Sequence, residues 1–236
     1  MINMNRIKAI FVKELQDVKT NTSVIYMFFL PVVLTILWDR FMSDMPDGFA
    51  LTMGILFLVV MVGMYVPAMI VSEEKEKNTI GVLILSPATP TEVFLGKGLF
   101  TFLSVIVISL GLIFTTGTSV AYMPIIMLST LLTSITCIFL GMIVGLLSKD
   151  QKATGIIGTP IYLLLLVFPI YGNMGVEFMA SISRALPTYY YFNIIRLALD
   201  EGKNIVELSF EFIILLVFIV ISFAVLSFVY KRKGVS

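Results

Sequence analysis

The stretch V71-S-E-E-K-E-K-N-T-I-G-V-L-I-L-S-P-A-T-P-T-E-V-F-L-G-K-G-L-F100 is the longest charged, turn-bearing interruption in an otherwise apolar chain. The charged residues 73–77 cannot remain in hydrocarbon, because an unpaired charge there is costly. Apolar residues follow at the i, i+3, i+4 spacing that forms one helical face: Ile80, Leu83 and Ile84. This pattern predicts a short helix at a membrane surface.

The same stretch contains a stop signal and then a start signal. Ser86 is followed by Pro87, and a residue before proline disfavours the helical conformation. Thr89 and Glu92 have the spacing of a capping box, with Pro90 at the first helical position. We therefore expect a helix, a sharp break and a second helix.

Composition places the whole chain in the membrane class. Of 236 residues, 58% are hydrophobic and 13% charged, whereas soluble domains average about 25% charged residues. The net charge of +1 gives no indication of nucleic acid or an acidic substrate. Cys137 is the only cysteine and histidine is absent, which excludes an internal disulfide and the common zinc sites.

Apolar runs define an all-α, polytopic fold in one domain, 1–236. Each run is close to the roughly 17 to 25 residues that cross a bilayer. An amphipathic pattern before them predicts an interfacial helix over 4–19. The six predicted transmembrane helices are 23–38, 49–71, 98–121, 124–147, 153–171 and 208–230.

Lysine and arginine set the predicted orientation. If the amino terminus is cytoplasmic, twelve of these residues lie on the inner side, and four lie on the outer side: Arg40, Arg184, Arg196 and Lys203. Because inner loops carry the excess of positive charge, both termini and the 72–97 segment are expected in the cytoplasm of what we take to be a prokaryotic cell.

The opening stretch resembles the cytoplasmic segment between the second and third membrane helices of type-2 permeases of ATP-binding-cassette (ABC) exporters. In that family an acidic-basic-acidic cluster precedes a Gly-Thr-Leu-like step, an apolar pair, a Ser/Thr-Pro and a Gly-Lys. The matching positions are Glu74-Lys75-Glu76, Asn78-Thr79-Ile80, Leu83-Ile84, Ser86-Pro87 and Gly96-Lys97.

The resemblance implies a cytoplasmic coupling helix between spans 2 and 3 that docks on a separate cytosolic ABC ATPase. It also implies a second permease, as a homodimer or paired heterodimer, with ATP and Mg held by the ATPase. This chain has no Gly-x-x-x-x-Gly-Lys-Ser/Thr phosphate loop and itself needs no cofactor. The implied coupling residues are Glu73, Glu74, Glu76, Thr79, Ile80, Leu83, Ile84, Ser86, Pro87 and Lys97.

Polar residues in the later spans are candidates for a translocation path: Ser129, Thr133, Thr136 and Glu211. Gly141 and Gly145 form a small-xxx-small pattern, so helix packing is the first interpretation of the fourth span, and a path lined by its hydroxyls is the alternative. The long outer segment, 172–207, is similar to the family's re-entrant segment before the last span, through Pro187, Tyr190 and Arg196.

Two hypotheses of function follow. The first is the permease of an exporter in the cell membrane that moves a hydrophobic or amphipathic substrate such as a drug, peptide or lipid, since few ionisable groups lie at mid-membrane. The alternative is an intramembrane enzyme or a membrane-embedded regulatory or immunity protein without an ATPase partner. The spans show no paired carboxylates and no nucleophile beside a base, which disfavours the enzyme.

The orientation predicts the outcome of cysteine labelling in intact cells. In a Cys137→Ala background, Ser43→Cys should react with a membrane-impermeant thiol reagent added outside, whereas Asn78→Cys should react only after the cells are opened. Labelling of position 78 from outside would reverse the orientation.

Overall fold

A computed structural model describes residues 3–19, 21–42, 45–46, 48–77 and 89–233. Within these residues every regular element is a helix, which confirms the all-α prediction. A π-helical turn, Met61–Tyr65, joins the helices Phe49–Val60 and Val66–Glu76 into one continuous helix. The helices are α1 Met4–Val18, α2 Thr22–Phe41, α3 Phe49–Val60, α4 Val66–Glu76, α5 Pro90–Thr115, α6 Met123–Leu147, α7 Gln151–Asn173, α8 Glu177–Ser183, α9 Pro187–Glu201 and α10 Ser209–Lys233.

Six helices are long and apolar enough to cross a membrane, as predicted. They are α2, α3–α4, α5, α6, α7 and α10. The predicted helix at 4–19 corresponds to α1. Three predicted boundaries differ from the helices: the second span continues past Val71 to Glu76, and the third begins at Pro90 and ends at Thr115. Charged residues extend both helices because they find partners there.

The α3–α4 helix lies at the centre of the bundle. Most of its residues are fully buried, for example Leu51, Ile55 and Val59. By contrast, α2 and α10 expose large apolar side chains such as Phe29 and Phe210. An apolar outer surface around a buried central helix is what a bundle in lipid requires, because lipid contacts the outer helices.

Two glycines of α6 bring the fourth span against this central helix. A Cβ on Gly141 would lie 2.0 Å from the carbonyl oxygen of Met64, and one on Gly145 would lie 2.7 Å from that of Ala68. No larger residue fits such a backbone approach. The small-xxx-small pattern therefore has the packing role that the sequence predicts.

The segment between α7 and α10, which is predicted to lie outside, contains two helices. In α9, Tyr191, Ile194 and Ala198 are fully buried against the neighbouring spans, and the Tyr191 hydroxyl donates to the carbonyl of Thr52 over 3.5 Å. Gly202, in the left-handed conformation, ends α9. That this segment re-enters the membrane stays a prediction.

Gly141→Ala should destabilise the bundle by about 1–3 kcal/mol, because its methyl group overlaps a backbone carbonyl that cannot rotate away. Gly111→Ala is the matched control, since a Cβ on Gly111 meets nothing within 4 Å. Denaturant titration in detergent micelles compares the two variants. Equal stability would show that α6 and the central helix are not in this close register.

Candidate functional site

The last turn of α4 carries four consecutive charged residues, Glu73 to Glu76. Because successive residues on an α-helix project about 100° apart, these side chains point in different directions around the helix. Each finds a partner on a neighbouring element. We call this part of the molecule, where α1, the end of α4 and the start of α5 meet, the α1 end.

A buried ion-pair cluster holds three helices together at the α1 end. Lys97 Nζ on α5 lies 2.6 Å from Glu14 Oε1 on α1 and 2.7 Å from Glu74 Oε1 on α4. The side chains of Lys97 and Glu14 are each only 2% exposed, and that of Glu74 is 10% exposed. Breaking such a pair leaves a charge without solvent or counter-ion, so the three helices are fixed in register.

The glycine before this lysine allows the approach. A Cβ on Gly96 would lie 2.7 Å from Ile10 Cγ2 and 3.2 Å from the carbonyl oxygen of Ile7. The absence of a side chain at 96 therefore brings α1 onto α5, and Lys97 then reaches Glu14. This gives a physical reason for the Gly-Lys pair of the sequence motif.

Lys13 contacts the cluster on its solvent-exposed side. Its Nζ lies 3.0 Å from Glu74 Oε1 and 3.5 Å from Asp17 Oδ2. Partial burial acts to lower the pKa of Lys13, but the carboxylates of Glu74, Glu14 and Asp17 act more strongly together, so the pKa is raised above its usual value. Lys13 is therefore a fixed cation over the pH range of a cell.

Two other charges of the same turn bind helix ends. Lys75 Nζ donates to the carbonyl of Leu146 over 2.7 Å, near the carboxyl end of α6. Glu76 Oε2 accepts from the backbone N–H of Gln151, the first residue of α7, over 3.1 Å. Both partners are groups that a helix end leaves without an intrahelical bond, and the charges match the helix dipoles. The end of α4 is thus tied to α6 and α7 as well.

The predicted capping box is present at the start of α5. Thr89 accepts from Glu92 N, and Glu92 Oε2 accepts from Thr89 N over 2.7 Å. Glu92 Oε1 also accepts from the backbone N–H of Asn3 over 2.6 Å, and Arg6 lies 3.5 Å from Oε2. One carboxylate therefore caps α5 and binds the start of α1.

These contacts change the interpretation of the coupling residues. Glu74 and Lys97, which the resemblance predicts to contact a partner, are both buried in the ion-pair cluster of this chain. Glu73 is partly exposed and binds Lys77 and Asn21. The predicted coupling helix itself lies outside the described residues, together with Thr79, Ile80, Leu83, Ile84, Ser86 and Pro87.

The candidate path residues lie in two helices, α6 and α10, and their role in transport stays a prediction. Ser129, Thr133 and Thr136 are buried within α6, and each hydroxyl donates to a carbonyl of its own helix. Glu211 lies in the first turn of α10, where it accepts from Asn193 Nδ2 over 3.4 Å. Hydroxyls that bond to their own helix suit packing, which needs no aqueous path.

The predicted outer residues lie in α9. Pro187 is its first residue, and the Tyr190 hydroxyl donates to the carbonyl of Arg184 over 2.9 Å. Arg196 is exposed and donates to Asn193 Oδ1. These contacts hold the outer segment together.

Comparison with protein-family models gives a match to the ABC-2 family transporter protein model over residues 43–228, most of the chain. The chain belongs to the ABC-2 transporter family. Like other members it is a membrane permease component of an ABC transporter and not itself the catalytic subunit. No curated protein sequence gives a significant match.

The match begins after α2, so the part of the ABC-2 permease that supplies Glu14 and Lys13 lies outside it. Sequence reasoning missed Glu14 as a functional candidate. A signal was available: Glu14 follows Ile7 and Ile10 by seven and four residues, on the buried face of α1. An acidic residue on such a face indicates a buried cation on a neighbouring helix.

Lys97→Met should destabilise the permease by about 3–5 kcal/mol, because buried Glu14 and Glu74 lose their buried cation. Glu14 then keeps only the longer contact to the half-exposed Lys13, whose Nζ lies 3.7 Å from Glu14 Oε1. Adding Glu14→Gln and Glu74→Gln should restore much of this loss, since no unpaired charge then remains. Lys77→Met, which removes an exposed ion pair with Glu73, is the control and should cost at most about 1 kcal/mol.

Denaturant titration in detergent micelles measures all three variants. If Lys97→Met were as stable as the Lys77→Met control, the buried cluster would not hold the helices. If the triple variant were no more stable than Lys97→Met, the cost would not come from unpaired carboxylates.

Proposed function

We propose that this permease belongs to an ATP-driven exporter and binds a separate cytosolic ABC ATPase through the segment 72–97. The observation that carries this proposal is the ion-pair frame of Glu14, Glu74 and Lys97 in a chain of the ABC-2 family. The contact itself is assigned to 78–88, which carries the apolar pair Leu83-Ile84 and the Ser86-Pro87 break.

The frame supports a mechanical role. The end of α4 and the start of α5 flank residues 78–88, and both are tied to α1 through Glu74 and Lys97. A displacement of the segment is then passed to the central helix and to the third span together. A loosely held loop would absorb the same displacement.

The energy source follows from what the sequence lacks. Without a phosphate loop the chain cannot hold ATP in the usual way, so ATP and Mg are placed on the partner ATPase. Two permeases, identical or paired as a heterodimer, would each engage one ATPase subunit. Both termini and the coupling segment face the cytoplasm of the cell membrane in this arrangement.

A hydrophobic or amphipathic cargo, such as a drug, peptide or lipid, suits the spans best. The cluster of charges at the α1 end is internally paired, and the middle of α6 offers hydroxyls and no ionised groups. A strongly hydrated ion would lose its water shell without compensation in such a bundle. Export is the direction that the family resemblance favours.

Leu83→Ser with Ile84→Ser should lower recovery of the ATPase with the tagged permease, because fully burying such a side chain in an interface contributes roughly 1.5–3 kcal/mol. Leu147→Ser is the matched control: it lies at the α1 end on α6 and is 45% exposed. Co-purification in mild detergent, with substrate-stimulated ATP hydrolysis, measures the effect.

Normal ATPase recovery and normal transport in the double variant would show that this segment is only a solvated loop. Pro87→Ala is a second test, since it removes the break without removing a contact residue. We expect it to retain ATPase binding and to lose transport. The frame variant Lys97→Met should lose both, because it releases the whole segment.

A further inference from the structure

The cations of α1 and its carboxyl-terminal cap form two groups with different surroundings. Arg6 and Lys13 lie beside carboxylates of other helices. Lys8 and Lys19 are exposed, and within the described residues neither has an ion pair. A lysine that no carboxylate of the described part of the chain neutralises is available to an anion from outside.

Both free lysines lie on the same side of α1. Lys8, Phe11, Leu15 and Lys19 follow one another at spacings of three or four residues, which places them along one side of the helix. The exposed carboxylate of Asp17 lies on the opposite side, where it faces Lys13. The lysines therefore flank a short apolar strip.

That strip opens onto an apolar groove between α1, α2 and α5. The groove has a volume of about 340 Å³ and is lined by Phe11, Leu15, Phe28, Phe100, Leu103 and Val107, among others. Phe100 forms edge-to-face contacts with Phe11 and Phe28 at centroid distances of 6.1 and 6.3 Å. Leu103 and Val107 are 40% and 68% exposed, so the groove is open along α5.

We propose that this groove is a binding site for an anionic phospholipid. One acyl chain lies along Phe100, Leu103 and Val107, and Lys8 and Lys19, one at each end of the apolar strip, attract the phosphate at the membrane surface. A basic side chain near the surface favours an anionic lipid about fivefold, and an apolar groove beside it selects a molecule that has both an anionic and an apolar part. The site is separate from the ion-pair cluster, which faces the interior.

Charge favours a lipid over a second copy of the chain as the occupant. A twofold interface built on this groove would place the same residues of both copies together, so Lys8 and Lys19 would face like charges. The only exposed carboxylate that α1 offers, Asp17, is turned away. An anionic headgroup supplies the missing negative charge.

The test uses a fluorescence reporter inside the groove. Trp38 is the only tryptophan, so Trp38→Phe with Leu103→Trp gives a single reporter in the full-length chain. The protein is reconstituted in vesicles of phosphatidylcholine with increasing brominated phosphatidylglycerol or brominated phosphatidylcholine. Because bromine quenches only on contact, the two quenching curves give the relative binding constant at the groove.

We expect phosphatidylglycerol to bind up to about thirty-fold more strongly at low salt, and Lys8→Gln with Lys19→Gln to bring the ratio close to one. Lys149→Gln with Lys152→Gln removes the same charge from exposed positions away from the groove and should leave the ratio unchanged. If Leu103→Trp prevents folding, Val107→Trp places the reporter further along the same groove.

Three results would overturn the proposal. Equal quenching by both lipids in the parent would show that the groove does not prefer phosphatidylglycerol. A preference that persists in the Lys8/Lys19 variant would show that other residues cause it. An absence of quenching by either lipid would show that protein, such as a second copy, covers the groove. None of these results depends on an ATPase partner, so the outcome is independent of the proposed function.

Discussion

The buried lysine of α5 constrains the whole α1 end of the permease. Removing an ammonium group from water is costly, and the cost is offset only while Glu14 and Glu74 both remain within hydrogen-bonding distance. Three helices must therefore keep one register. The close approach at Gly96 and the second link from Glu92 to the start of α1 are consistent with that same requirement. Ion pairs therefore hold the three helices at the α1 end in fixed positions.

In the middle of the bundle, side-chain and backbone packing fixes the positions of the helices. Lipid tails are as apolar as leucine, so helix association there depends on close contact rather than on exclusion of water. Gly141 and Gly145 allow the fourth span to meet backbone carbonyls of the central helix at Met64 and Ala68. Met64 lies in the π-helical turn, where the hydrogen-bonding pattern of the helix changes. Both regions fix the central helix, by ion pairs at one end and by backbone contact in the middle.

Most of the fold could be predicted from the sequence, because span length, hydropathy and capping chemistry are local properties. The capping box at Thr89 and the small residues of α6 are examples. The ion-pair cluster could not, since Glu14 and Lys97 are 83 residues apart and only the packed helices bring them together. The end of the second span was misplaced for a related reason. Charges ended the apolar run, yet partners on four neighbouring helices allow the helix to continue to Glu76.

The amino-terminal helix α1 contacts both the ion-pair cluster and the start of α5. Family similarity begins after the first span, so it gives α1 no role. Its inward face nevertheless provides Glu14 to the cluster, and its opening backbone is bound by the capping residue of the third span. Its other side leaves Lys8 and Lys19 exposed beside an apolar groove. Because one helix carries both sets of contacts, the proposed lipid site and the ion-pair cluster are connected through α1.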